Sequence, residues 1–232
     1  MSRTCRRRTL LGLFATLLLA SSGCLPIQLA VSPQGQILIP RQEGFFLIDS
    51  GTGTVSLLAA ASDEPPVFGV FSPDGNHALT VTGLPGGSHT LNLLSLNDRT
   101  ERVLSRGLNP TYVQWSPDGR HISVSVMAPQ TDREHFDRNH PELILLNSED
   151  GSVRRLAQNV GFLHRWFPDA SAVLALELTS KEGDDYRGTL TRISLGEEQP
   201  LPIVSVLGSH RMFFTLSPDG KKLLVVAKAV GT

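Results

Sequence analysis

Apolar residues along this chain come in short runs, and many alternate with polar ones. His121-Ile122-Ser123-Val124-Ser125-Val126 alternates at every step, the period-2 pattern of a strand with one face turned inward. Val67-Phe68-Gly69-Val70-Phe71 and His77-Ala78-Leu79-Thr80-Val81-Thr82 are β-type runs on either side of Ser72-Pro73-Asp74-Gly75. Tyr112-Val113-Gln114-Trp115 stands in the same relation to Ser116-Pro117-Asp118-Gly119. Serine, proline, aspartate and glycine each suit one position of a tight turn, so the local unit is strand, turn, strand. A second hairpin follows each first one. Phe45–Asp49 and Thr54–Leu58 flank a Gly-rich turn, and Glu142–Asn147 and Val153–Leu156 flank one containing Asp150-Gly151.

The turn recurs. Ser217-Pro218-Asp219-Gly220 is a third intact copy; Ser32-Pro33-Gln34-Gly35 and Phe167-Pro168-Asp169-Ala170 are degenerate ones whose geometry is expected to differ. The prolines at 33, 73, 117, 168 and 218 are 40, 44, 51 and 50 residues apart. Four strands per unit at this period predict an all-β fold, a β-propeller of four-stranded antiparallel blades. The units are placed at 27–61, 67–106, 111–158, 160–206 and 211–230. The fifth has two strands only, so four blades and a partial fifth are expected, read as an incomplete or truncated ring.

The beginning of the chain has a different pattern. Arg3, Arg6, Arg7 and Arg8 precede an apolar run from Thr9 to Ala20, then Ser21-Ser22-Gly23-Cys24. A basic cluster, a short apolar core and small residues are the order of a secretory signal. The run is 12 residues long, short of the roughly 20 needed to span a bilayer. Ser22-Gly23-Cys24 resembles the end of a bacterial lipobox, with Ser21 where that family usually has leucine. The resemblance implies a signal peptide over 1–23, cleavage after Gly23, a lipidated Cys24 and a tether of 24–26. Arg7-Arg8-Thr9-Leu10-Leu11 also resembles a twin-arginine export signal. The expected address is that of an exported, membrane-anchored lipoprotein on the periplasmic or cell-surface side.

Charge changes the picture only by exclusion. Without residues 1–23 the chain carries 17 basic and 22 acidic residues, a net charge of −5, so no nucleic-acid partner is expected. Cys5 leaves with the signal, so core packing and strand pairing must hold the fold without a disulfide.

The three intact turns, set between apolar strands, resemble the WD-repeat-like blades of TolB-type propellers. The same blades occur in the N-terminal propellers of prolyl-oligopeptidase-type enzymes. The likeness covers about 27–230 and implies a fold, not an activity. It assigns the turn residues Ser72, Pro73, Asp74, Gly75, Ser116, Pro117, Asp118, Gly119, Ser217, Pro218, Asp219 and Gly220 to structure.

Binding is expected on the longest connections. The longest, 129–141, holds Arg133, His135, Asp137 and Arg138; its counterpart in the fourth unit, 180–188, holds Asp184, Asp185 and Tyr186. In an up-and-down blade both emerge opposite the Ser-Pro-Asp-Gly turns, side by side. The histidine and acid spacing fits no zinc pattern, and no metal is assigned. Trp115 and Trp166, just before their turns, are expected to pack between blades. His77 and His121 are expected on strand faces. No Gly-x-Ser-x-Gly elbow and no phosphate-binding glycine loop is present, so neither a catalytic residue nor a cofactor is assigned. The expectation is a non-catalytic, lipid-anchored binding module for an unknown protein or envelope polymer, held to membrane lipid through Cys24. The rivals are a propeller lyase or lactonase, the propeller of a prolyl-oligopeptidase-type peptidase, and a TolB-like component of an envelope-spanning complex.

Overall fold

The computed structural model describes residues 30–84, 87–127, 140–183, 185–196, 199–208 and 212–227. Among these residues every regular element is a strand. Four antiparallel four-stranded sheets and one two-stranded sheet follow one another in chain order. The first is β1 (Ala30–Val31), β2 (Gln36–Arg41), β3 (Gly44–Asp49) and β4 (Val55–Ala60). The second is β5 (Pro66–Phe71), β6 (His77–Gly83), β7 (His89–Ser95) and β8 (Glu101–Leu108). The third is β9 (Pro110–Trp115), β10 (His121–Val126), β11 (Glu142–Asn147) and β12 (Val153–Ala157). The fourth is β13 (Val160–Trp166), β14 (Ala172–Glu182), β15 (Asp185–Ser194) and β16 (Leu201–Gly208). β17 (Phe213–Leu216) and β18 (Leu223–Val226) make the last. The first strands of successive sheets touch: β1 meets β5, β5 meets β9, β9 meets β13 and β13 meets β17. The sheets are therefore blades fanned about their first strands, a β-propeller.

All five proline turns share one internal bond, but the first hairpin is a residue shorter: the Ser32 amide donates to the carbonyl four residues on, at Gln36, where the first residue of each other turn donates to the carbonyl five residues on. The fourth residue's amide donates to the first residue's carbonyl at 2.8–3.0 Å in each, from Gly35 to Gly220. Gly35, Gly75, Gly119 and Gly220 hold φ between 69° and 80°. In the three intact copies the serine hydroxyl donates to the aspartate two residues on and accepts the amide five residues on. These bonds hold the aspartates ionised. The Ser72 hydroxyl keeps the Asp74 carboxyl below its ordinary value, and Ser217 does so for Asp219. At Asp118 burial pushes the carboxyl up, but the Ser116 hydroxyl, the Arg120 amide and nearby positive charge outweigh it and leave it lowered.

The degenerate copies were expected to differ in geometry; the first does, closing one residue early with Val31 paired to Ile37, and the fourth does not. Ala170 takes the left-handed backbone itself, at φ 57°, a conformation that costs a side-chain-bearing residue about 1–2 kcal/mol. Ser171 replaces the missing serine by donating to Asp169 at 2.7 Å. The hydrogen-bonded ladders on both sides impose the turn, and the local residues adapt to it.

The core lies in the seams between blades. Leu79, Val81 and Leu91 of the second blade pack on Val113, Trp115, Ile122 and Val124 of the third. Leu143 and Leu145 of the third pack on Trp166, Val173 and Ala175 of the fourth. Both tryptophans sit in these seams, and each indole N–H donates across one, Trp115 to the Val70 carbonyl at 3.4 Å and Trp166 to the Gln114 carbonyl at 3.3 Å. Two arginines latch the rim: Arg102 of β8 donates to the Ser148 carbonyl and Arg154 of β12 to the Leu195 carbonyl, both at 2.7 Å. Asn109 alone separates β8 from β9.

Candidate functional site

Cys24, the signal segment 1–23 and the tether 24–26 lie outside the described residues, as do Arg133, His135, Asp137, Arg138 and Asp184. Asp185 and Tyr186 are described, and so is the last stretch of the long connection, His140 and Pro141. The segment 180–188 differs from its sequence reading as a loop. β14 and β15 continue their ladder to the pair Glu182 and Asp185, across a register shift between Leu178 and Ser180. Asp185 and Tyr186 are strand residues, and the segment is a protruding hairpin with Gly183 at φ 64° in its turn. Such a hairpin holds its side chains at fixed alternating positions, which a free loop does not.

The two connections meet where their residues are described. The His140 ring stands edge-on to the Tyr186 ring, with centroids 5.1 Å apart. The Lys181 ammonium lies 5.9 Å from the centre of the same tyrosine ring. The backbone pins this corner: Val160 donates to the Pro141 carbonyl at 2.9 Å, and Leu178 to the Asn159 carbonyl at 2.8 Å. Asn159 turns the chain between the third and fourth blades at φ 53°. An open pocket of about 350 Å³ results, bordered by His140, Asn159, Thr179, Lys181 and Tyr186. Its mix of imidazole, amide, hydroxyl, ammonium and phenol suits hydrogen bonding to a polar ligand.

A second pocket, of about 510 Å³, lies at the opposite end of the sheets between the second and third turns, with Asp74, His77, Trp115, Asp118 and Ser148 around it. Its two acids are committed to their own turns, Asp74 to Ser72 and Asn76, Asp118 to Ser116 and Arg120. Among the described residues no three histidine, cysteine or acidic side chains converge as metal ligands.

One polar cluster was missed in the sequence. His164 of β13 is buried in the seam between the third and fourth blades, with Nε2 2.7 Å from the Ser123 hydroxyl and Nδ1 3.0 Å from the Ser125 hydroxyl. Ser123 donates its only proton to the Gln114 carbonyl at 3.1 Å. It must therefore accept from Nε2–H, and Ser125 donates to Nδ1. A neutral imidazole is thus fully satisfied. Burial pushes its pKa down to about 3, and the neighbouring Arg165 adds to the effect. Arg165 bonds the Tyr112 hydroxyl, and the Tyr112 ring stands edge-on to His164 at 5.0 Å. With 1 % of its surface exposed, His164 cannot reach a substrate, and the cluster is a structural bolt. The alternation of Ser123 and Ser125 on one face of β10 was its only sequence signal; the partner, 39 and 41 residues on, left none.

No protein family matches the chain, and no curated protein does so. Solved structures do. TolB from Acinetobacter baumannii is 19 % identical with a TM-score of 0.56, over 84 % of this chain and 47 % of that one. An oligogalacturonate lyase in complex with manganese is 12 % identical with a TM-score of 0.64, over 86 % of this chain and 57 % of that one. The acylaminoacyl peptidase of Pyrococcus horikoshii is 12 % identical with a TM-score of 0.58, over 83 % of this chain and 33 % of that one. The chain spans about half the length of the first two. Likeness at this identity shows the propeller fold, and the three activities do not choose among themselves.

Proposed function

We propose that this protein is a lipid-anchored β-propeller of the bacterial cell envelope that binds a protein or an envelope polymer without transforming it. The surface is the end of the propeller that carries 129–141 and the 180–188 hairpin, with Arg133, His135, Asp137, Arg138, Asp184, Asp185 and Tyr186 as contacts. The observation that carries this reading is the packing of His140 on Tyr186 beside an open polar pocket. It fixes the root of the longest connection against a rigid hairpin, and loops held this way are where propellers present ligand contacts. The anchor rests on Ser21-Ser22-Gly23-Cys24 behind its basic and apolar segments.

Mass spectrometry of the protein purified from bacterial membranes tests the address. A mature chain beginning at an acylated Cys24 is expected; a chain still beginning at Met1, or an unmodified Cys24, overturns it. Capture from envelope extracts tests the surface. The intact protein retains a partner that the variant lacking 129–141 loses, and equal capture by both removes the site.

A further inference from the structure

The seam between the first and second blades is built differently from the others. On the β6–β7 face turned toward the first blade, Ala78 and Leu94 pack on Leu38, Phe45 and Leu58. Further along the same face the residues become polar: Thr80, Thr82, Thr90 and Asn92, all at least 91 % buried. Thr80, Thr82 and Asn92 stand where the third blade has Val124, Val126 and Ile144, which are core residues. A cleft of about 410 Å³ opens over this stretch, between β4 with its following connector and the second blade.

Part of the polar face is self-satisfied. Thr82 donates to the Glu64 carboxylate at 3.0 Å and Arg106 to the Thr90 hydroxyl at 3.3 Å. The hydroxyls of Thr90 and Thr82, with Arg106 and His89 nearby, hold Glu64 below the ordinary range of a glutamate. Part is not. Asn92, 7 % exposed, lines the cleft, and its carboxamide meets no hydrogen-bond partner among the described residues. Its cross-strand neighbour Thr80 is fully buried with an unpartnered hydroxyl. Asparagine is disfavoured in strands, and leaving a buried polar group unpaired costs stability. A strand face serving only packing would carry the valine and isoleucine of the next blade.

We infer that this cleft binds a short saccharide without acidic groups, a site separate from the His140–Tyr186 pocket and sharing no residue with it. A carboxamide, a carboxylate and a guanidinium in one cleft offer both acceptors and donors, and sugar hydroxyls are both. The volume suits a small ligand. Asp63, Glu64 and Glu101 outnumber Arg106 around it, so uronates and phosphates are repelled while neutral or amino sugars are admitted.

The test titrates the full mature chain with chitobiose, its de-acetylated glucosamine dimer and digalacturonate, by calorimetry and by amide shifts in NMR. Saturable binding of at least one of the first two is expected, with digalacturonate at least about tenfold weaker. Asn92→Ala should weaken binding about tenfold or more, the loss of one hydrogen bond of about 1.4 kcal/mol. Ala60→Trp, at an exposed residue on the cleft wall, should block it without touching the polar network, and decides the matter if Asn92→Ala does not fold. No saturation with either non-acidic dimer overturns the inference. Equal binding of digalacturonate, or unchanged binding in a folded variant, does so too.

Discussion

The two faces of the second blade meet their neighbours in opposite ways. Toward the third blade β6 and β7 offer Leu79, Val81 and Leu91, and the body of the seam is apolar, bolted by Trp115 and latched by Arg102, with polar groups only at its turn end. Toward the first blade the same strands offer Thr80, Thr82, Thr90 and Asn92, and the seam opens into a cleft. Alternation at period 2 places both sets on one pair of strands, one residue apart. One side of the blade is spent on cohesion, and the other keeps polar groups at the surface of a gap. Stability and binding need not compete for the same positions in this architecture.

The sharpest way to break that contrast is to mutate neighbours on β6. Leu79→Ala, in the closed seam, should cost about 2–5 kcal/mol in urea unfolding. Thr80→Val, one residue on and facing the other way, should stabilise by about 1 kcal/mol, because it removes an unpaired buried hydroxyl. Similar losses from both would mean that the two faces are equivalent. The seam between the third and fourth blades, where a satisfied polar cluster around His164 interrupts the apolar packing, sets an intermediate case. His164→Leu should cost about 1–3 kcal/mol by stranding the Ser125 hydroxyl. It should also alter the acid limb. The unfolded imidazole takes up its proton near 6.5 and the folded one at about 3, so the unfolded state binds it first. Stability should fall as pH drops below 6.5 and level off near 3, with a slope of at most about 1.4 kcal/mol per pH unit from this group. His164→Leu should remove that component, and a stability profile with unchanged slope would show that the bolt does not titrate.

Smaller effects sharpen the account of how blades are joined. Ala170→Gly should raise stability by about 1 kcal/mol, since the turn already holds φ 57°. A loss would mean that the alanine is not strained there. Arg102→Ala, on the exposed rim, should cost less than about 1 kcal/mol and less still at high salt, whereas Leu79→Ala should be insensitive to salt.

The fold was legible because its punctuation is local. Ser-Pro-Asp-Gly carries its own turn chemistry, and Ile122, Val124 and Val126 alternate visibly with Ser123 and Ser125. The degenerate turn at 167–170 shows the limit of that reading: missing letters suggested altered geometry, while the flanking ladders held the same bend. The hairpin at 180–188 was taken for a loop because its charged residues hide a ladder that continues past the body of the sheet. The site was less legible. The packing of His140 on Tyr186 joins residues from two blades, and so does the bond between His164 and Ser123. Pairings of that kind follow from how sheets abut, which no window of sequence displays.

Asn109 has a consequence of a different kind. A single residue leaves the strands on either side of it no play, so the second and third blades are coupled like links on a rigid pin. Residues 61–65 form a five-residue strap between the first and second blades, fastened instead by bonds along its length: Ala61 donates to the Glu43 carbonyl, Gly83 to the Pro65 carbonyl and Thr82 to the Glu64 carboxylate. A cut or an inserted spacer at 109 would pry apart the tightest joint among the described residues, whereas a lengthened strap would loosen only its own few bonds.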